Sequence, residues 1–428
     1  MKFACYTLGC KVNQYETQAM EQLLTALGHE ECALSDNFDC CIINTCTVTA
    51  VADKKNRNII RRLRREHPDA VLGVCGCYAQ TQPQDVRELG ADVLSGSAGR
   101  EAFVQSLLQT YKDRQHREQL DEALKRRTFE VLPAGGLAVR TRAMLKVQDG
   151  CNNFCTYCII PYARGPVRSL PIDDAVRQAK ALALDGYREI VVTGIEIASW
   201  GWDFKDGSRL PQLLKAILEA VPDTRVRLGS LEPRIIDAEF CDTLKAYPNL
   251  CPHFHLSMQS GSDEILKNMH RKYDTARYLE SVERLKAAFP GCAVTTDMIV
   301  AFPGETDELF AQSLAFIRRC AFADMHIFPY SRRPGTPADK LPGQCGNAVK
   351  QARSAAAIKV AEEMNTAFRK DMVGTDQEVL FEQTEGGFFT GHAKNSVRVY
   401  AKGENLHNKV CKVRITGLYE DGICADLL

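Results

Sequence analysis

Between Ala143 and Phe328 the chain repeats one pattern: a short apolar run of strand length, then a longer stretch with helical periodicity. The strand candidates are Ala143 to Val147, Glu189 to Thr193, Arg225 to Leu228, His253 to Leu256, Ala293 to Val300 and Asp324 to Phe328. Helical segments such as Asp173 to Leu184, Leu210 to Ala220 and Ser262 to Met269 separate them. Strands joined by crossovers of that length pair in parallel. The repeat therefore predicts a partial, open (β/α)6 barrel, whose working groups belong at the C-terminal ends of its strands.

The flanks differ from this core. Residues 1–112 place strand-like runs at Lys2 to Leu8, Cys40 to Asn44 and Val71 to Val74, with helical stretches between. The stretch Glu16 to Leu27 puts Met20, Leu23, Leu24 and Leu27 on one helical face and ends at Gly28. This predicts a doubly wound parallel sheet. The charged run Tyr111 to Glu130, followed by Pro133, Gly135 and Gly136, predicts an inter-domain connection over 113–136, with the barrel domain over 137–370. A helix from Val349 to Lys370 ends that domain. Period-two runs at Gln377 to Gln383, Phe388 to His392, Val397 to Tyr400, Val410 to Thr416 and Ile423 to Leu427 then predict a small antiparallel β-barrel over 371–428. The fold class is α/β throughout the first two bodies.

Eighteen cysteines accompany an N-terminus that lacks the basic flank and apolar stretch of an export signal, and no window reaches membrane-spanning length. The expected compartment is the reducing cytoplasm, where cysteines are metal ligands, reactive thiols or small buried hydrophobes. Lys plus Arg equals Asp plus Glu, 54 each. Any affinity for nucleic acid must then come from local basic patches.

Cys151, Cys155 and Cys158 form a CxxxCxxC triplet directly after the first barrel strand, in DGCNNFCTYCIIPYARG. Structural zinc favours paired CxxC knuckles closing a four-ligand shell, and no second pair accompanies this triplet. Iron-sulfur clusters usually take four thiolates, so three local ligands leave one iron open. With Tyr157, the loop resembles the radical S-adenosylmethionine signature. That resemblance implies a 4Fe-4S cluster at these cysteines and S-adenosylmethionine on its open iron. It implies cosubstrate contacts at strand ends: Gly194 and Glu196 after the second strand, Ser257 and Gln259 after the fourth, and Pro303 after the fifth. Ala301 stands where the superfamily usually has glycine. The chemistry belongs to the clusters, and no side chain is assigned as the catalytic group.

Cys10, Cys46 and Cys77 follow the first, second and third N-terminal strand candidates, and strand ends on one edge of a parallel sheet converge. Cys5, Cys32, Cys40, Cys41 and Cys75 lie in or beside apolar segments and fit a packing role. Between Cys75 and Cys77 the choice is close; Gly76 can turn the chain out of the strand and free the thiol of Cys77.

The segments TLGCKVNQYET, NTCTVT, GCYAQ, CNNFCTYCIIPYARGPVRS, SMQSGSDEILKNMHRKY, DMIVAFPGET and FPYSRRPGTPA together resemble the methylthiotransferases, across essentially the whole chain. The resemblance implies a second 4Fe-4S cluster on Cys10, Cys46 and Cys77. It also implies a C-terminal RNA-binding barrel of the TRAM type, tRNA as substrate, and an electron donor such as flavodoxin or ferredoxin. Lys11-Val12-Asn13-Gln14 resembles the branch acting on N6-threonylcarbamoyladenosine next to the anticodon. The isopentenyladenosine branch usually has Gln-Met-Asn there, and the branch modifying a ribosomal-protein aspartate has Pro-Lys-Asn. A non-catalytic metal-bound RNA-binding protein is the alternative from another class.

Two basic runs are candidates for phosphate contact. Lys54, Lys55, Arg57, Arg61, Arg62, Arg64 and Arg65 fall on one helical stretch, and Lys394, Arg398, Lys402, Lys409, Lys412 and Arg414 on the last body. Arg164 and Arg168, just past the triplet, fit either substrate contact or salt bridges.

Overall fold

The computed structural model describes residues 1–135 and 141–428. The N-terminal body is a six-stranded parallel sheet in the order β2-β1-β3-β4-β5-β6. Its strands are β1 (Lys2–Thr7), β2 (Glu30–Glu31), β3 (Cys40–Thr45), β4 (Val71–Gly76), β5 (Val93–Ser95) and β6 (Arg117–Gln119). Both faces of the central strands are covered, so their alternate residues feed two cores. Cys41, Ile43, Leu72 and Val74 point into one; Cys40, Ile42, Val71 and Cys75 point into the other, beneath the helix Arg100–Asp113. The cysteines of the apolar runs are thus packing residues. Arg117–Gln119 falls inside the expected connection yet pairs with β5, so the sheet extends beyond residue 112. A short strand in a charged context gives little periodic signal, and it is fixed by the neighbour it pairs with. The expected boundary at 136/137 lies outside the described residues.

The second body carries β7 (Arg142–Lys146), a two-residue ladder of β8 (Gln148–Asp149) with β9 (Arg168–Ser169), then β10 (Glu189–Thr193), β11 (Arg225–Leu228), β12 (His253–His255), β13 (Ala293–Val300) and β14 (Asp324–Pro329). Two parallel triplets, β7-β10-β11 and β12-β13-β14, are joined by the parallel bridges Val226 to Leu250 and Leu231 to Leu256. The result is the six-stranded open barrel expected from the repeat. Its core gathers Leu145, Ile190, Val226, Phe254 and Val294 from the strands with Leu213, Leu214, Ile217 and Leu285 from the covering helices.

After the helix Asn347–Asp371 the chain closes a five-stranded barrel from β15 (Asp376–Glu385), β16 (Phe388–Ala393), β17 (Arg398–Ala401), β18 (Val410–Tyr419) and β19 (Gly422–Leu427). The ladders are antiparallel except for the closing pair, β17 with β19, which is parallel.

The small barrel docks on β7, β10 and β11 through charge. Arg225 pairs with Glu378 at 3.0 Å, and Arg142 pairs with Glu382, which also bonds His392. Arg227 donates to Glu189 through two nitrogens at 2.6 and 3.0 Å and to the Lys394 carbonyl at 3.0 Å. Burial pushes the Glu189 carboxyl up, but the Arg227 charge and hydrogen bonds, with help from Arg142, outweigh it and hold the group at about 2. The folded-state pKa lies below the unfolded one, so the stabilisation is complete above the unfolded value and is lost as pH falls through the folded one. Glu189→Gln is expected to cost roughly 3–5 kcal/mol in urea unfolding at neutral pH, since it leaves buried guanidinium without its partner. The gap between wild type and variant should narrow by about 3 kcal/mol between pH 5 and pH 2. A gap that stays constant over that window would contradict the assignment.

Candidate active site

Each cysteine of the first trio leaves a sheet strand at its C-terminal end. Cys10 is the N-cap of the helix Lys11–Ala26, Cys46 follows β3, and Cys77 opens the helix Cys77–Thr81 directly after β4. Two glycines make this convergence possible. Gly76 has φ +102°, and a Cβ there would meet the Thr45 carbonyl oxygen at 2.4 Å. Gly9 has φ +115°, and its Cβ would lie 3.0 Å from the Cys46 Sγ. Neither position tolerates a side chain, so Gly76 turns Cys77 out of the strand while Cys75 stays in the core. Burial pushes the Cys46 thiol up to about 12, with the Cys77 and Cys10 sulfurs adding to the rise. The three sulfurs therefore lie within one another's field.

The second trio sits on the loop between β8 and the helix Ile160–Arg164, at the barrel mouth. The Thr156 N–H donates to the Met269 carbonyl at 3.1 Å and the Ala338 N–H to the Thr156 carbonyl at 2.8 Å, which ties the loop to the β12 and β14 sides. Burial pushes the Cys158 thiol up to about 12, with Cys155 and, more weakly, Cys77 contributing. Cys77 is thus near enough to act on Cys158, and the helix it opens packs on Ile160–Arg164. The two trios are therefore neighbours, with Cys77 on the side of the first that faces the second.

Each trio has one guanidinium on a sulfur. Arg164 Nε donates to Cys77 Sγ at 3.3 Å, and Arg271 Nη1 donates to Cys155 Sγ at 3.3 Å. Such donors favour thiolate over thiol, the form that binds metal. Three thiols per site, all but Cys10 wholly or partly buried and one of each three met by a guanidinium N–H, suit an iron-sulfur cluster with one open iron. Among the described residues only His255, Asp297 and His326 form a group of three whose ligand-type atoms all lie within 4.8 Å of one another. The thiols of each trio are spaced more widely, as befits ligands to separate irons rather than one shared ion.

The expected cosubstrate residues ring the mouth. Tyr157 stacks edge-on against Phe302, at 6.4 Å between ring centres. Gly194 lies against Gln148, whose Oε1 accepts the Glu196 N–H at 2.8 Å. Burial, reinforced by Glu232, pushes the Glu196 carboxyl up to about 7. A group so placed gains by meeting a cation. Ser257 follows β12, and its carbonyl accepts from Arg271 at 3.2 Å. Gln259 bridges to Met298 of β13 with φ +71°, and Pro303 follows β13. Ala301 has φ +57°, the region glycine occupies without strain.

Arg164 and Arg168 are buried in ion pairs. Glu16, on the helix that Cys10 caps, receives Arg164 at 2.5 Å, Lys146 at 2.8 Å and Arg100 at 3.1 Å. Asp149 receives Lys146 at 2.8 Å and both Arg164 and Arg168 at 3.4 Å. Four cations thus face two carboxylates, a positive surplus beside the thiols. Arg164 also donates to Asn13 Oδ1 at 2.7 Å, and Asn13 to the Leu8 and Thr45 carbonyls. A second clamp joins the bodies near Cys46, where Arg333 donates to Asp53 and to Thr47. Sequence reasoning missed Glu16, Lys146 and Arg333; a charge inside an otherwise buried helix or strand carries no periodic signal of its partner.

Comparison with known proteins agrees with this geometry. The family model described as Radical SAM superfamily matches residues 145–317, and that described as Uncharacterized protein family UPF0004 matches residues 2–96. The threonylcarbamoyladenosine tRNA methylthiotransferase MtaB of Bacillus subtilis (strain 168) is 40% identical over 421 residues, covering 96% of this chain and 93% of the relative. The chain belongs to the radical S-adenosylmethionine methylthiotransferases. The MtaB of Thermotoga maritima is 35% identical, over 97% of this chain and 95% of the relative. The tRNA-2-methylthio-N(6)-dimethylallyladenosine synthase of Bacillus subtilis (strain 168) is 32% identical, over 97% of this chain and 83% of the relative. Among solved structures, the methyltransferase TsrM of Kitasatospora setae shares the fold, with a TM-score of 0.59 at 14% identity over 91% of this chain and 80% of that one. Membership implies a 4Fe-4S cluster and S-adenosylmethionine for this methylthiotransferase.

Removing the hub carboxylate leaves three buried cations short of a counter-charge. Glu16→Gln is expected to destabilise the cluster-free protein by about 3–5 kcal/mol in chemical unfolding. A loss under about 1 kcal/mol, the size of a surface ion pair, would show that the knot is not what joins the two bodies.

Proposed function

We propose that this methylthiotransferase places a methylthio group on carbon 2 of N6-threonylcarbamoyladenosine at position 37 of tRNA, beside the anticodon. The observation that carries the reading is the match over nearly the whole chain to enzymes named for that nucleoside, above the match to the dimethylallyladenosine enzymes. Methylthiolation of isopentenyladenosine, or of a ribosomal-protein aspartate, uses the same chemistry on another target and ranks behind it.

Cys151, Cys155 and Cys158 would hold the radical cluster, and Cys10, Cys46 and Cys77 a second 4Fe-4S cluster. When bound, these groups supply an organic radical and a methyl group from S-adenosylmethionine, and sulfur from the second cluster. Carbon 2 carries no acidic proton, so a side-chain base could not activate it. The chain's own residues hold and shield. Glu196 would receive the cosubstrate ammonium, which draws its carboxyl back into the ionised form. Gly194, Ser257, Gln259 and Pro303 would complete the cosubstrate's seat, with Tyr157 packed on Phe302 as a wall against water. Arg164 and Arg271 would keep one sulfur of each trio ionised.

Phosphate contacts would fall to the exposed basic residues that, among the described residues, have no acidic partner. On the helix Ala50–Glu66, Arg57, Arg62, Arg64 and Arg65 have acidic neighbours, whereas Lys54, Lys55 and Arg61 are exposed. On the small barrel, Lys394, Arg398 and Arg414 pair with Glu378, Asp421 and Asp376, whereas Lys402, Lys409 and Lys412 are exposed. A small carrier such as flavodoxin or ferredoxin would deliver electrons, and the cytoplasm would be the compartment. No helix among the described residues is long and apolar enough to cross a membrane.

Deleting the gene and digesting total tRNA to nucleosides tests the target. Mass spectrometry should find 2-methylthio-N6-threonylcarbamoyladenosine gone and its unthiolated parent accumulated, with restoration by the wild-type gene. An intact methylthio nucleoside in the deletion strain would refute the assignment.

A further inference from the structure

Inside the barrel, below the mouth, lies a cavity of about 560 Å³ lined by Lys11, Ser230, His255, Asp297 and His326, with the small barrel closing its far side. Its roof is the cosubstrate layer. The Gln259 N–H donates to the Asp297 carbonyl at 2.9 Å, and Ile299, two residues on along β13, packs on the same apolar cluster as Tyr157 of the cysteine loop. The cavity therefore begins about one strand repeat, roughly 7 Å, beneath the radical site. Lys11 enters it from the other side, one residue after Cys10.

Several of the ionisable groups lining this space are matched to one another. Asp297 bonds His255 Nε2 through one oxygen and His326 Nδ1 through the other, each at 3.3 Å; His255 Nδ1 rests on Thr295 at 3.0 Å. Arg398 pairs with Asp421, and His392 with Glu382. Lys11, an exposed residue at the edge of this space, has no hydrogen bond or ion pair among the described residues; the charges acting on it are the Arg227 and Arg142 guanidiniums, which pair with Glu189 and Glu382, and the Glu189 carboxylate itself. A lysine ammonium that reaches a cavity without a carboxylate partner of its own is a seat for an anion.

We propose that this cavity receives the amino-acid substituent on N6 of the target adenine, with Lys11 pairing its carboxylate and His326 available to its other polar atoms. The inference rests on the substrate reading above and names the site that would enforce it. Carbon 2 and the N6-bearing carbon flank N1 in the same six-membered ring, so their outward directions differ by about a third of a turn. With carbon 2 turned toward the two trios, the substituent leaves in another direction, and the half-open cavity in the barrel interior lies beside Lys11 and below the cysteine loop. A dimethylallyl group would leave Lys11 unpaired, so the cavity also discriminates against the sister substrate.

The test compares an anticodon stem-loop carrying N6-threonylcarbamoyladenosine with one whose threonyl carboxylate is a neutral carboxamide, using fully loaded enzyme. Wild type is expected to favour the acid by roughly 10- to 100-fold in kcat/KM, mostly through KM, the size of one charge-assisted hydrogen bond. Lys11→Met should bring the ratio close to one, and Lys11→Arg should keep most of it. Iron content and RNA-independent cleavage of S-adenosylmethionine should match wild type in both. His326→Phe, remote from the cysteines, should weaken both RNAs alike while leaving the acid preference. Equal use of acid and amide by wild type, or an undiminished preference in Lys11→Met, would overturn this inference alone. Failure of wild type on both RNAs would overturn the substrate reading with it.

Discussion

The structure depends on a buried knot of charge. Glu16 from the N-terminal body and Asp149 from the barrel are held by Arg100, Lys146, Arg164 and Arg168, with Glu16 and Arg164 almost wholly removed from solvent. Buried ions are costly to desolvate, and a knot like this earns its place by fixing register rather than by adding stability. Here it fixes the helix that begins at Cys10 against the loop that carries Cys151, Cys155 and Cys158. The same Arg164 touches Cys77. The orientation of one trio toward the other is thus set by hydrogen-bond geometry, which tolerates much less sliding than an apolar interface.

The proposed function would follow from that orientation. Two cluster sites acting on one carbon atom in turn would have to share a chamber closed to water at the reacting end and open to RNA. The barrel supplies the closed end, with Tyr157, Phe302 and Tyr330 packed together beside the cysteine loop. The positive surplus of the knot suits a neighbourhood that gathers thiolates. The clamp of Arg333 on Asp53 and Thr47 holds the third side.

Much of this was legible in the sequence because its signals are periodic. The barrel strands came out within a residue or two, since each alternates with a helix of clear amphipathicity. The five strands of the last body were readable from their period of two and their Gly-bearing turns. The helix Lys11–Ala26 shows the limit. Its apolar face predicts burial of Met20 and Leu24, and these are buried, but Leu27 is exposed while Asn13, Glu16, Thr17 and Gln18 are buried. A polar stripe is buried only because another body supplies Arg164, Lys146 and Arg100, and no local pattern encodes partners more than eighty residues away. The same reason hid the edge strand Arg117–Gln119 and the pairing of half the basic residues on the helix Ala50–Glu66. Among the N-terminal cysteines, Cys5, Cys40, Cys41 and Cys75 lie within strands, whereas Cys10, Cys46 and Cys77 lie just past strand ends, where Gly9 and Gly76 bend the chain.

The central claim is that two trios of thiols, one from each of the first two bodies, each hold a cluster and face a common space. Iron and sulfide content of the anaerobically reconstituted protein tests it most directly, set beside a variant carrying Cys10→Ala, Cys46→Ala and Cys77→Ala. The account predicts about eight irons per wild-type chain and about four in the variant, with the S-adenosylmethionine-cleaving cluster intact. Equal iron in the two proteins, near four, would contradict it.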